Sequence, residues 1–106
     1  MADDIILNKA ANIERCLARV SEEYVGHAAE LETNFTRQDA IVLNLLRACE
    51  TRMDLAMHVV RIKRLGIPQT SRDAFDLLYR ATVIDQPLAE RMKRMDGFHN
   101  RCPDPR

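Results

Sequence analysis

The chain predicts an all-α fold on three observations. Apolar residues recur at spacings of three and four along most of its length, the period of a helix packed on one side. Glycine occurs three times and proline four times in 106 residues, too seldom for a β protein built on many tight turns. Capping residues stand where each apolar pattern begins. At this length there is room for one domain with one core.

The first helix opens at Asp3 or Asp4, either of which can cap it, and carries Ile6, Ala10, Ile13, Leu17, Val20 and Tyr24 as a narrow seam. Gly26 and the polar stretch from Glu32 to Asn34 interrupt that pattern. Thr36 followed by Asp39 resembles a capping box, so the second helix is predicted to start near Arg37. Two adjacent stripes mark it as the central helix: Ile41, Leu45, Ala48, Leu55, Val59 and Ile62 lie beside Val42, Leu46, Cys49, Met53, Ala56 and Val60. It is expected to run to Leu65, with Gly66 as a left-handed C-cap and Pro68 blocking extension. Roughly 29 residues at about 1.5 Å each make a rod of about 43 Å, which favours an up-and-down bundle.

Thr70-Ser71-Arg72-Asp73 caps a short third helix with Ala74, Phe75, Leu77, Leu78 and Ala81. Asp85 before Gln86-Pro87 starts a fourth, which carries Leu88, Met92 and Met95 and a Glu90–Arg94 pair one turn apart. Gly97 is expected to stop it. Proline at 103 and 105 removes backbone donors and keeps the residue before each out of the helical region, so residues 101–106 read as a non-helical tail after a domain of residues 1–100.

Composition narrows the function classes. No run of about 18 apolar residues exists and the chain opens on acidic Asp3 and Asp4, which predicts a cytoplasmic protein without a membrane span. Cys16, Cys49 and Cys102 are odd in number and widely spaced, so neither a disulfide framework nor a zinc site is expected, and the first two read as buried thiols. Net charge is zero but uneven: residues 1–56 hold 6 basic and 10 acidic side chains, and residues 57–106 hold 10 and 6. A basic second half suits RNA or an acidic protein; complementary helix faces explain it as well.

Local chemistry is sparse. Asp54 and His58 stand one turn apart, as a carboxylate–imidazole pair with His58 as base or as a solvated helix pair. His27 lies beside Gly26 near a helix end. Arg61, Lys63 and Arg64 form one basic cluster and Arg91, Lys93 and Arg94 another; each suits a phosphate, and each also suits the dipole of a helix C-terminus. There is no glycine-rich phosphate loop and no nucleophile elbow, and neither a cofactor nor a metal is called for.

Several segments together carry more information. From Asp4-Ile5-Ile6-Leu7-Asn8-Lys9, through Asn34-Phe35-Thr36-Arg37-Gln38-Asp39 and His58-Val59-Val60, to Gly66-Ile67-Pro68, Arg72-Asp73-Ala74-Phe75 and Ala89-Glu90-Arg91-Met92, the chain closely resembles HepT-like proteins of the HEPN superfamily. The resemblance spans about residues 3–100. It implies a helical bundle, here lacking its last helix, derived from metal-independent, usually dimeric ribonuclease toxins that an MntA-type minimal nucleotidyltransferase antitoxin neutralises.

The family signature, Arg-x4-His-x-Tyr, lies in a segment resembling Gly-Phe-Arg-Asn-Ile-Ala-Val-His-Asp-Tyr. Gly97, Phe98 and Asn100 match it. His99 stands at the catalytic Arg position, Asp104 at the catalytic His position and Arg106 at the Tyr that the antitoxin adenylylates. His99 and Asn100 are thus the remnant of the catalytic motif, with Arg101 two residues out of register. RNA cleavage without metal needs a base near the 2′-hydroxyl and a cation beside the phosphate, so activity is expected to be lost. A frameshift accounts for the tail, since codons for Ile-Ala-Val-His read two bases later give Arg-Cys-Pro; natural divergence is the alternative. The resemblance leaves three readings: an inactive toxin remnant, an active ribonuclease, or a binding module for the antitoxin. Apolar surface left uncovered on the central helix predicts a homodimer.

Overall fold

The computed structural model describes residues 3–101, and all of its regular structure is helical: α1 Asp4–Tyr24, a single 3₁₀ turn Ala28–Glu30, α2 Phe35–Ile62, α3 Ser71–Arg80 and α4 Gln86–Arg101. Helices α1 and α2 form a long antiparallel hairpin. At one end Arg37 of α2 meets Glu23 of α1 at 3.1 Å; in the middle Asn12 donates to Thr51 Oγ1 at 3.3 Å; at the other end Asp3 meets His58. Helices α3 and α4 pack on each other and on the C-terminal half of α2.

Each start follows from a cap. Asp3 Oδ1 accepts from the N–H groups of Ile5 and Ile6. For α2 the cap is Asn34, whose side chain accepts from Arg37 N at 3.0 Å, so the helix begins two residues before the expected Arg37. Asparagine is the stronger cap, and it leaves Thr36 inside the first turn. Thr70 caps α3 through Asp73 N, and Asp73 reaches back to Gln69 N. Asp85 Oδ1 accepts from Leu88 N at the start of α4.

Two helix ends differ from the sequence expectation. The left-handed residue closing α2 is Arg64, φ 55°, where Gly66 was expected. Leu65 N bonds Val60 O and Arg64 N bonds Arg61 O, the paired bonds of a Schellman motif, which places Leu65 against the core. Gly66, φ 144°, is needed two residues after Arg64, where a Cβ would lie 3.2 Å from Leu77 Cδ2. The same motif closes α3 with Thr82, φ 59°, in the left-handed position.

Gly97 does not stop α4, which continues to Arg101. A mid-helix glycine costs about 1 kcal/mol relative to alanine. Contacts on either side offset that: Asp96 is held by Arg52 and Ser71, and His99 reaches Glu50. Residues 102–106, with the prolines at 103 and 105, lie outside the described residues.

The core sits between α2, α3 and α4, where Ala56, Val60, Ala74, Phe75 and Leu78 are buried together and Met53, Val59, Leu65 and Met92 close over them. Along α1 the buried position is Cys16, while Leu17 and Tyr24 of the expected seam are about half exposed. The seam therefore turns away from α2 towards its C-terminal end. Cys16 and Cys49 are both buried, as expected from the sequence.

Candidate functional site

The seam between α2 and α4 collects the side chains with most chemical potential. His99 projects from the last turn of α4, and its Nε2 lies 3.3 Å from Glu50 Oε1 on α2. Its Nδ1 is buried and has no hydrogen-bond partner among the described residues. Neither ring nitrogen is therefore presented to an open groove. Asn100 follows it on the backbone of α4. Asp104 and Arg106 lie outside the described residues.

One turn before His99, a buried polar node ties three helices together. Arg52 Nη2 donates to Asp96 Oδ1 at 2.9 Å, Arg52 Nη1 donates to the carbonyl of Met92 at 3.2 Å, and Ser71 Oγ donates to Asp96 Oδ2 at 2.6 Å. The guanidinium lies over the Phe75 ring, 4.8 Å from its centroid. Both charged side chains are under a tenth exposed. No local motif marks this node, although the apolar stripes carry a signal for it. Arg52 continues the spacing of four set by Ala48 and Ala56, and Asp96 that of Leu88 and Met92, so each puts a charge into an apolar stripe.

The expected Asp54–His58 pair does not form. His58 turns inward, 6% exposed, and its Nε2 meets Asp3 Oδ2 at 2.9 Å, while Asp54 lies on the outer side, 4.0 Å from Lys9 Nζ. Arg61 donates to His58 Nδ1 at 3.2 Å, so the ring proton sits on Nε2 and is donated to Asp3. Asp3 thus caps α1 with one oxygen and fastens it to α2 with the other.

The hydrogen bond with His58 holds the Asp3 carboxyl below its ordinary value, helped by the N–H groups of Ile6 and Ile5 against partial burial. A carboxyl depressed in the folded state stabilises the fold above the ordinary carboxylate range, and that contribution disappears as pH falls through the depressed value. The melting-temperature gap between the wild type and Asp3→Asn, which keeps a capping oxygen, should accordingly be widest near neutrality and close on acidification. Parallel melting curves from about pH 7 to pH 2 would refute the linkage.

The remaining candidates are structural in their surroundings. His27 Nδ1 stands 3.4 Å from Glu30. Of the second basic cluster, Lys93 contacts Asp76 at 2.5 Å and Glu90 at 3.5 Å, and Asp76 raises its pKa. Glu90 therefore faces Lys93 where Arg94 was expected, because Asp76 on α3 draws Lys93 to that side. Among the described residues no group of three His, Cys, Asp or Glu side chains gathers at metal-binding distance, and no helix is long and apolar enough to cross a membrane.

Comparison with known proteins places this geometry. A family model described as ribonuclease HepT-like matches residues 13–102. The mRNA nuclease HepT of Shewanella oneidensis is 46% identical over 98 residues, covering 92% of this chain and 73% of that one. Among solved structures, a mutant MntA–HepT toxin–antitoxin complex matches with a TM-score of 0.87 at 46% identity, covering 92% of this chain and 76% of that one. A tri-AMPylated Shewanella oneidensis HEPN toxin in complex with an MNT antitoxin matches with a TM-score of 0.87 at 44% identity, covering 93% and 74%.

Proposed function

Since the chain belongs to the HepT-like ribonuclease family, we propose that it is the toxin-derived member of a toxin–antitoxin pair, still able to dock on a minimal nucleotidyltransferase antitoxin but unable to cleave RNA. The observation that carries this reading is His99. It occupies the position of the family's phosphate-binding arginine, with one ring nitrogen on Glu50 and the other buried. An imidazole so engaged supplies neither the cation beside a scissile phosphate nor a base at a 2′-hydroxyl. Asp104 and Arg106 replace the motif's His and Tyr, which removes the second catalytic group and the hydroxyl that receives the adenylyl group.

Support for the docking half comes from similarity along nearly the whole chain to toxins solved with their antitoxins. Exposed apolar side chains on the outside of the bundle, among them Leu17, Tyr24, Ile62 and Val83, support a homodimer.

Removal of both the base and the phosphate cation lowers cleavage by about 10⁴-fold or more. Incubation of the purified chain with messenger RNA should thus yield no products above a protein-free control. Cleavage that His99→Ala abolishes would overturn this reading in favour of an active enzyme with Glu50 orienting His99. Co-expression with a minimal nucleotidyltransferase antitoxin of the MntA type should yield a stable complex, and failure to co-purify would remove the docking half.

A further inference from the structure

One cavity of the structure lies away from His99. It measures about 490 Å³, is open on one side, and is formed by Met57, Val60, Arg61 and Arg64 of α2 and its end together with Gly66, Ile67 and Pro68 of the loop leading to α3. Arg61 stands eleven residues beyond Glu50 on α2, about 16 Å further along the rod. We infer that this cavity binds a nucleoside monophosphate, with the base against Met57, Ile67 and Pro68 and the phosphate on Arg61 and Arg64.

Three features carry the inference. The volume falls within the range of small-molecule sites, and the walls are mainly apolar with a few convergent polar groups, as such sites are. Both polar side chains are guanidinium groups, and no acidic side chain lines the cavity. Arg61 is fixed at one end by its bond to His58 Nδ1, while Arg64 makes no ion pair among the described residues. Two guanidinium forks beside one apolar wall suit a planar ring that carries a phosphate, since arginine both binds phosphate in bidentate fashion and stacks on flat π-systems.

The third feature is the rigidity of the wall. Arg64 is held at φ 55°, Gly66 at φ 144° beside Leu77, Leu65 is anchored in the core, and Pro68 has a fixed φ. This frame holds Ile67 out at 91% exposure at the cavity's edge. Cations at the end of α2 also satisfy its dipole. That role requires no cavity, whereas the left-handed Arg64 belongs to the Schellman closure of α2.

Calorimetric titration of the intact chain with AMP tests the assignment, with inorganic phosphate, adenosine and octanoate as separate probes. AMP should bind at least tenfold more tightly than any of the three. Arg64→Gly should weaken AMP binding tenfold or more while the melting temperature holds or rises, because glycine accepts that backbone conformation freely. Ile67→Ser should weaken AMP without loss of stability.

Equal binding of phosphate overturns the role of the apolar wall, equal binding of octanoate overturns the base, and unchanged AMP affinity in R64G overturns the site. Displacement of AMP by a short 5′-phosphorylated single-stranded RNA would assign the nucleotide to a strand end; its failure would assign the site to a free nucleotide. None of these measurements involves RNA cleavage, so they stand apart from the fate of the inactive-toxin reading.

Discussion

Asp96→Ala should cost the fold about 3–5 kcal/mol, the penalty for leaving one member of a buried ion pair without its partner. Arg52 is 7% exposed, and without Asp96 its guanidinium keeps only the Met92 carbonyl and sulfur and the face of Phe75. Ser71 loses its acceptor as well. In a domain of this size each kcal/mol lowers the melting temperature by roughly 4–8 °C, so the variant should melt at least about 12 °C below the wild type. The paired change Arg52→Met with Asp96→Leu should recover most of that loss, because apolar side chains of similar volume often replace a buried pair at little cost. By contrast Glu22→Ala, which breaks the exposed contact with Arg19, should change stability by less than about 1 kcal/mol. Circular dichroism melts of the four proteins decide the matter: a loss under about 1 kcal/mol in Asp96→Ala would show that the node is not the clasp its burial indicates.

The node also marks the limit of what the sequence made legible. Helix number, order and most starts followed from period and capping chemistry, because those signals are local: Asp3, Thr70 and Asp85 act within three residues of themselves. Ends were read less well. A Schellman closure needs one left-handed residue, and composition points to glycine; yet Arg64 and Thr82 take the strained position because Leu65 and Val83, next in line, bond back to Val60 and Leu78. Gly97 misled for the opposite reason. Helix propensity is worth about 1 kcal/mol at one residue, and two tertiary contacts three residues apart outweigh it.

The site shows the same division. Identity at positions 99, 104 and 106 was plain in the sequence. The partner of His99 was not, since Glu50 lies 49 residues away and nothing local singles it out. His58 was paired with Asp54 by spacing alone, whereas the fold carries Asp3 across from the start of α1 and turns Asp54 outward. Spacing on one helix shows which residues share a face, and only the packing of the neighbouring helix shows what meets it.

Phe75→Ala should have an effect as large as that of Asp96→Ala, by a different route. The ring is 2% exposed at the centre of the α2–α3–α4 core, and its truncation leaves a void that Ala56, Val60 and Leu78 cannot close without moving whole helices, a loss of about 3–5 kcal/mol. Removal of the ring also strips the Arg52 guanidinium of its π-face, worth about 0.5–2 kcal/mol. Phe75→Leu separates the two contributions: it retains apolar bulk but not the ring, and should cost about 1–2 kcal/mol, mostly through Arg52. Combined with Asp96→Ala, it should show coupling of about 0.5–3 kcal/mol, because both changes act on the same guanidinium. A domain of marginal stability, about 5–15 kcal/mol, tolerates that pair where it does not tolerate Phe75→Ala with Asp96→Ala. Urea denaturation of the wild type, both single variants and the double variant closes the cycle. Strict additivity would mean that Phe75 and Asp96 hold the bundle independently, and that Arg52 is a passenger between them.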